Sequence, residues 1–260
     1  MNGIIEIGTF RLILAYIFIA ILLFIIKIKG IKREKDVLIG SVRMTIQLIL
    51  TGYILSYIFD NPNPFVTIIY LLIMLAFAVH NTFKRVKVKL KNNLKILIGF
   101  SLAIGTIISL LYFLIIVVRI SPWYNPRYFI PIAGMIVGNA MTGITLGVTR
   151  LVDGMTNQKY AIEGALMLGA TPKDATRSIV NNAFDSAILP TINNMVGMGI
   201  VSLPGMMTGQ ILSGTSPLVA IQYQIAIMLA ICGSVSLTVI LFVQLAYKTF
   251  FNERCQLEVE

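Results

Sequence analysis

The sequence predicts an all-α, polytopic membrane bundle of seven helices, and three observations carry that prediction. Of the 260 residues, 57% are hydrophobic and 12% charged, with a mean hydropathy of +0.86, too little polar surface to coat a water-soluble globule of this size. Seven apolar runs cover residues 12–28, 37–59, 65–79, 94–118, 128–147, 189–212 and 218–247, each near the roughly 20 residues that a helix needs to cross hydrocarbon. Seventeen of the 21 Lys and Arg residues fall in four segments that alternate with these runs, and a basic bias of that kind marks the cytoplasmic side. One transmembrane domain, residues 1–260, uses nearly all of the chain.

The first run is preceded only by Arg11, lacks a small-residue cleavage site and is followed by Lys27, Lys29, Lys32, Arg33 and Lys35. That order is the reverse of a secretory signal, so the run stays as a helix. The second run carries Arg43 about two turns in, with Gln47 one turn deeper on the same face. An arginine at this depth must snorkel or find a partner. Asp185 is a candidate partner, and anchor and pathway readings of Arg43 stay equally open.

Asp60-Asn61-Pro62-Asn63-Pro64 then makes a turn on the outer side. The third run ends near His80, the single histidine, which reads as an interfacial side chain. Lys84, Arg85, Lys87, Lys89, Lys91 and Lys95 follow and return the chain to the cytoplasm. The fourth run ends at a second outer turn, Ser121-Pro122-Trp123 near Pro126. In the fifth run Gly134, Gly138 and Thr142 recur every four residues, with Gly143 and Gly147 on an adjacent line. Such residues let helix backbones approach closely, while Asn139 and Thr145 of the same run face either a neighbour or a cavity. These assignments put the amino terminus outside and the carboxyl terminus, with Lys248 and Arg254, in the cytoplasm. The localisation is the cell membrane, multi-pass, with the lipid bilayer itself as a partner.

Between the fifth and sixth runs lies a cytoplasmic loop of about forty residues, 150–188, longer than a connection between neighbouring helices requires. Tyr160 to Leu168 reads as a short helix ended by Gly169 in a left-handed conformation. Thr171-Pro172-Lys173-Asp174 then supplies an N-cap hydroxyl, a proline at the first helical position and a carboxylate three residues past the cap. Ala175, Ile179, Ala183 and Ala187 recur at helical spacing, so this second helix packs on the bundle while Lys173 and Arg177 stay wet.

The sixth run is the least regular: Asn193, Asn194, Met195, Gly197, Met198 and Gly199 precede Ser202-Leu203-Pro204-Gly205, Met206, Met207 and Gln210. A bend is expected near Pro204, because proline removes an amide donor and frees a carbonyl, which membranes tolerate only beside protein or a watery cavity. The carboxamides of Asn193, Asn194 and Gln210 and the thioethers of Met195, Met198, Met206 and Met207 suit a soft transition metal. The same methionines are also ordinary packing residues, and no metal ligand set is assigned.

Several function classes drop out. The cations sit within about 15 residues of the apolar runs, where contact with cytoplasmic lipid explains them without nucleic acid. Cys232 and Cys255 are too differently placed for a disulfide framework or zinc site. No G-x-x-x-x-G-K-[ST] occurs to cradle nucleotide phosphates, nor H-E-x-x-H, nucleophile elbow or carboxylate pair for catalysis. The chain is therefore not expected to be an enzyme or to bind a cofactor. All eleven carboxylates are expected in loops, tails or span ends, Asp185 being the nearest to a span, which favours a pump fuelled elsewhere over an ion-coupled carrier or channel.

Glu163-Gly164-Ala165, Gly169 and, after nine further residues, Ile179 resemble the E-A-A-x3-G-x9-I-x-L-P loop of ATP-binding-cassette permeases. Gly164 stands in place of the middle alanine and Asn181-Asn182 in place of the closing Leu-Pro. The stretch from Glu163 to Met228, with Leu168-Gly169-Ala170-Thr171-Pro172, Ser202 to Gln210 and Tyr223-Gln224-Ile225, resembles more specifically the Fet-type permease family of bacterial iron exporters and plant aluminium-tolerance half-transporter subunits. The resemblance is dense over the last hundred or so residues and mainly topological before them. It implies a permease subunit whose loop, through Glu163, Gly164, Ala165, Gly169, Ala170, Thr171, Pro172, Asp174 and Ile179, docks a separate cytoplasmic ATPase holding ATP and magnesium. It also implies export of iron or another metal. Because cassette ATPases work in pairs and this chain has one loop, a homodimer or a paralogous pairing follows. An interfacial helix resting on lipid headgroups is the alternative for the loop.

Overall fold

In the computed structural model, residues 7–86 and 90–258 are described; Lys87 and Lys89 of the inner basic segment lie outside the described residues. All regular structure among them is helical, in two units, 1–62 with 212–214 and 63–211 with 215–260.

The first unit holds α1 (Thr9–Ala15), α2 (Ile17–Ile28) and α3 (Glu34–Asp60). Gly30, at φ +65°, turns the chain between α2 and α3. The Tyr16 and Thr45 hydroxyls hydrogen-bond across the hairpin. Arg33 pairs with Asp36 at 3.0 Å in the first turn of α3, where a carboxylate suits the helix dipole. Most apolar side chains of α3 are exposed, as expected of a helix whose solvent is hydrocarbon.

The second unit contains α4 (Pro64–Arg85), α5 (Asn92–Tyr112), α6 (Pro126–Asn157), α7 (Lys159–Met167), α8 (Pro172–Ala175), α9 (Arg177–Gly197), α10 (Gly205–Leu212) and α11 (Pro217–Ala246). α4 and α6 open alike, on an asparagine whose side chain accepts from an amide two residues on (Asn63 from Phe65, 2.9 Å; Asn125 from Arg127, 3.2 Å) with proline at the first position. α5 continues as one π-helical stretch, Phe113–Val118, ended by Arg119 in a left-handed conformation. α6 is the hub: Ile136, Ala140, Ile144, Val148, Leu151 and Met155 are all buried, and α4, α5, α9 and α11 pack around it.

Small residues set the closest approaches. A Cβ added at Gly105 would lie 2.8 Å from the Thr238 backbone, so α5 and α11 touch there. At Gly143 it would meet Val235, and at Gly154 the Ile179 side chain at 2.5 Å. Gly138 has open space around it. The packing line of α6 thus runs through Gly143, Gly147 and Gly154, and Gly134 approaches only the flexible end of Met74. Thr67 donates to the Tyr124 carbonyl at 3.3 Å, joining the first turn of α4 to the turn before α6, and Lys91 reaches Glu258 (3.2 Å to the carbonyl, 3.7 Å to the carboxylate), joining the segment before α5 to the carboxyl-terminal tail.

Among the described residues, six helices are long and apolar enough to cross a membrane. The expected sixth run, 189–212, is instead two helices, α9 and α10, separated by a non-helical segment from Met198 to Pro204. The expected bend at Pro204 is the end of that segment, which begins six residues earlier at Met198. Gly199 takes φ +88° and its amide donates to the Ser202 carbonyl at 2.9 Å, closing a tight turn, while Pro204 serves as the start of α10. α9 is as long as α5, at 21 residues each, but carries Asn181, Asn182, Asp185, Asn193 and Asn194, which lower its hydropathy. The expected forty-residue loop is correspondingly shorter, because α6 runs on to Asn157 and α9 already begins at Arg177.

Candidate functional site

Between α6 and α9 the chain builds a compact elbow. α7 ends as the sequence requires: Gly169 takes φ +90°, its amide donates to the Leu166 carbonyl and that of Ala170 to the Ala165 carbonyl, both at 3.0 Å. These two bonds satisfy carbonyls that the helix end would orphan, and a left-handed residue is needed to make them. Across the turn, the Thr171 hydroxyl accepts the Asp174 amide at 3.2 Å and donates to the Asp174 carboxylate at 2.6 Å, with Pro172 at the first position of α8. Ile162 and Ile179 are buried and pin the elbow to the bundle.

Glu163 is half-buried and pairs with Lys159 one turn earlier at 3.9 Å, so it is less open a charge than the sequence suggested. No added Cβ at Gly164 would meet another atom within 4 Å, so nothing within this chain requires glycine there. The sequence reading passed over three docking candidates on the same elbow. Tyr160, Met167 and Leu168 are 87%, 87% and 91% exposed, three large apolar side chains on a nine-residue helix and its cap. Their signal was present as apolar residues off the buried face of a short helix. Beside the elbow, a polar cleft of about 500 Å³ is lined by Lys173, Asp174, Arg177, Asn181, Gln244 and Tyr247, which places the start of α9 and the end of α11 at one end of the bundle.

The expected path residues do not form one group. Arg43 and Gln47 stand exposed on α3 beside Leu38, Ile39, Val42 and Ile46, in the first unit. Asn139 is half-buried on α6 and donates to the Met135 carbonyl at 2.8 Å, and Thr145 likewise bonds Met141 at 2.6 Å. Both therefore satisfy their own helix. Asn193 and Asn194 are exposed near the end of α9. Met195, Met198 and Met206 pack against the core, Met207 is buried, Pro204 begins α10, and Gln210 lies half-buried on it.

One polar residue beside them was named only within a motif and not as a path residue. Gln224, two turns into α11 and 7% exposed, donates through Nε2 to the Met198 sulfur at 3.8 Å, and its Oε1 has no hydrogen-bond partner. A carboxamide in an apolar run was the available signal, the same one that drew attention to Gln47. Asp185 lies two turns inside α9, on the helix that the spacing of Ala175, Ile179, Ala183 and Ala187 predicts, but that helix runs on without interruption into the expected sixth run. Among the described residues no group of three or more His, Cys, Asp or Glu side chains is placed to hold a metal ion.

A bundle of long apolar helices with a structured elbow at one end defines a multi-pass membrane protein of the cell membrane. The chain belongs to the uncharacterised protein family UPF0014, whose model matches residues 9–251. Similar proteins include a UPF0014 membrane protein of Synechocystis sp., 37% identical over 89% of each chain. The probable iron export permease protein FetB of Escherichia coli is 34% identical over 95% of this chain and 94% of its own length. The protein ALUMINUM SENSITIVE 3 of Arabidopsis thaliana is 35% identical over 88% and 82%. No solved structure matches.

Proposed function

We propose that this chain is the membrane-spanning permease subunit of an ATP-binding-cassette transporter that exports iron or another metal ion. The whole chain serves as one permease domain, pairs with a second copy, and is driven by a separate cytoplasmic ATPase that carries the ATP and magnesium. The observation that carries this reading is the elbow. A capped nine-residue helix presents Tyr160, Met167 and Leu168 to the outside beside Glu163, and its neighbour α8 leads within one residue into α9. A displacement of such a knob by a moving partner reaches the bundle through a rigid rod. The name of the Escherichia coli relative supports metal export as the task.

Seven crossings, with the amino terminus outside and the carboxyl terminus in the cytoplasm, belong to the same proposal. The contact of Lys91 with Glu258 supports the count. These residues share one end of the bundle, so the chain between them crosses an even number of times, which α5, α6, α9 and α11 supply. Twenty-one residues of α9 make a rod of about 30 Å, enough to cross without α10.

Removal of Ala161 to Ala170 should leave membrane insertion intact and abolish co-purification with the partner ATPase. Retained binding and ATP-driven transport by that variant would discard the docking assignment. Asp185 within α9 keeps an ion-coupled carrier or channel as the second reading. Transport by this chain alone in liposomes, driven by an ion gradient, would decide for it.

A further inference from the structure

α9 presents to the outside of the single chain a face that lipid does not accommodate. Ala183 and Ala187 are buried, and Gly147 of α6 lies against both, so Asn182 and Asp185, on the far side of the helix, point away from α6. Both are exposed, and among the described residues Asp185 has no ion-pair partner.

Their depth follows from the packing. A Cβ added at Gly147 would lie 3.2 Å from Val239 and 3.6 Å from Ala187, and one at Gly105 would touch Thr238, so these four helices share a level there. Exposed Ile96 lies nine residues towards the cytoplasmic end from Gly105, about 13 Å at 1.5 Å per residue. Asp185 lies two residues from Ala187, about 3 Å in the same direction. The carboxylate thus stands about 10 Å deeper than an exposed isoleucine, and about one residue's rise deeper than exposed Arg150, three residues beyond Gly147 on α6. A charged carboxylate facing hydrocarbon is costly, and such groups face a cavity or a partner.

Further along the same face Leu189, Ile192 and Val196 are exposed, and then comes the helix break, where Ile200 is 92% and Val201 85% exposed. Irregular backbone at membrane depth needs protein or water against it. One occupant covers both halves of the face: protein against the apolar end and the break, water against the carboxylate.

We propose that the α9 faces of two copies meet, sealed by Leu189, Ile192 and Val196, and diverge at Asn182 and Asp185 into a water-filled vestibule that gathers a divalent cation on the cytoplasmic side. The site is incomplete in one copy. A hard divalent cation takes six or more oxygen ligands, and Asp185 with Asn182 supplies few, whereas two copies supply two carboxylates and two carboxamides with water completing the shell. The vestibule rests on the paired-permease reading, not on the identity of the fuel.

The test uses the full chain without ATPase, in inside-out vesicles, with Cys232 and Cys255 replaced by serine. Asp185→Cys and Asn182→Cys should react with a membrane-impermeant maleimide, and Leu229→Cys, exposed on α11, should not. Asp185→Cys unreactive under these conditions would overturn the vestibule. Leu189→Cys should form a cross-linked dimer with a short bifunctional thiol reagent, and its absence would overturn the second copy as the cover. With the native cysteines restored, Asp185→Asn should weaken Mn²⁺ binding, followed by the loss of the free-ion electron paramagnetic resonance signal, by about tenfold or more. Unchanged Mn²⁺ binding would overturn the cation role. Failure to find ATPase coupling leaves all three readouts untouched, so the two proposals fail separately.

Discussion

Gly169 and Gly164 sit five residues apart on the elbow and ask opposite things of the chain. At φ +90° Gly169 makes two capping bonds that a side chain disfavours, so Gly169→Ala should cost about 1 kcal/mol. Gly164 is helical with open space around it, so Gly164→Ala should be neutral or stabilise α7 by up to about 1 kcal/mol. Thermal melts of the purified chain in detergent measure both. Glu163→Gln removes only a half-exposed ion pair at 3.9 Å and should change stability by less than about 0.5 kcal/mol. A large loss of ATPase binding in that variant would then report docking and not unfolding.

At the scale of elements, the helices that meet most closely do so through residues the sequence left ambiguous. Gly105→Ala would drive a Cβ into the Thr238 backbone at 2.8 Å and should cost about 1–3 kcal/mol through overpacking, whereas Gly138→Ala, with nothing within 4 Å, should leave the melting temperature near the parent. The glycine spacing in the fifth run was legible, but which of its two lines packs was not. A four-residue repeat gives a stripe without saying where the neighbour lies, and Val235, Val239 and Ala187 select the line through Gly143 and Gly147. The elbow was legible almost residue by residue, because capping is local chemistry: Gly169, Thr171, Pro172 and Asp174 act on amides within a few positions. The break in the sixth run was legible at its Pro204 end and not at its start. Proline advertises itself in sequence, and Pro204 closes the break just before α10, whereas α9 already ends at Gly197, beside Gly199 reversed at φ +88°.

For the molecule as a whole, charge alternation predicted which loops share a side. Two contacts far apart in sequence agree with it, Thr67 with Tyr124 and Lys91 with Glu258. What hydropathy could not convey is that a 21-residue helix packed in the bundle carries five Asn and Asp side chains, since apolar content registers exposure to lipid and not to another chain or to water. With Cys232 replaced by serine, the native Cys255 should react with an impermeant maleimide only when the cytoplasmic face is accessible, and an added Asn61→Cys only from the opposite face. Both thiols reacting from one side would refute the seven-crossing topology.

The hold of Lys91 on Glu258 also matters at the bench. It brings the chain's last described residues back to the end of the bundle where the elbow and the polar cleft lie. A fluorescent reporter or affinity handle appended there would crowd the face proposed to dock an ATPase. Failed assembly in such a fusion would measure the appendage, and a short cleavable tag would be needed before any subunit is declared absent.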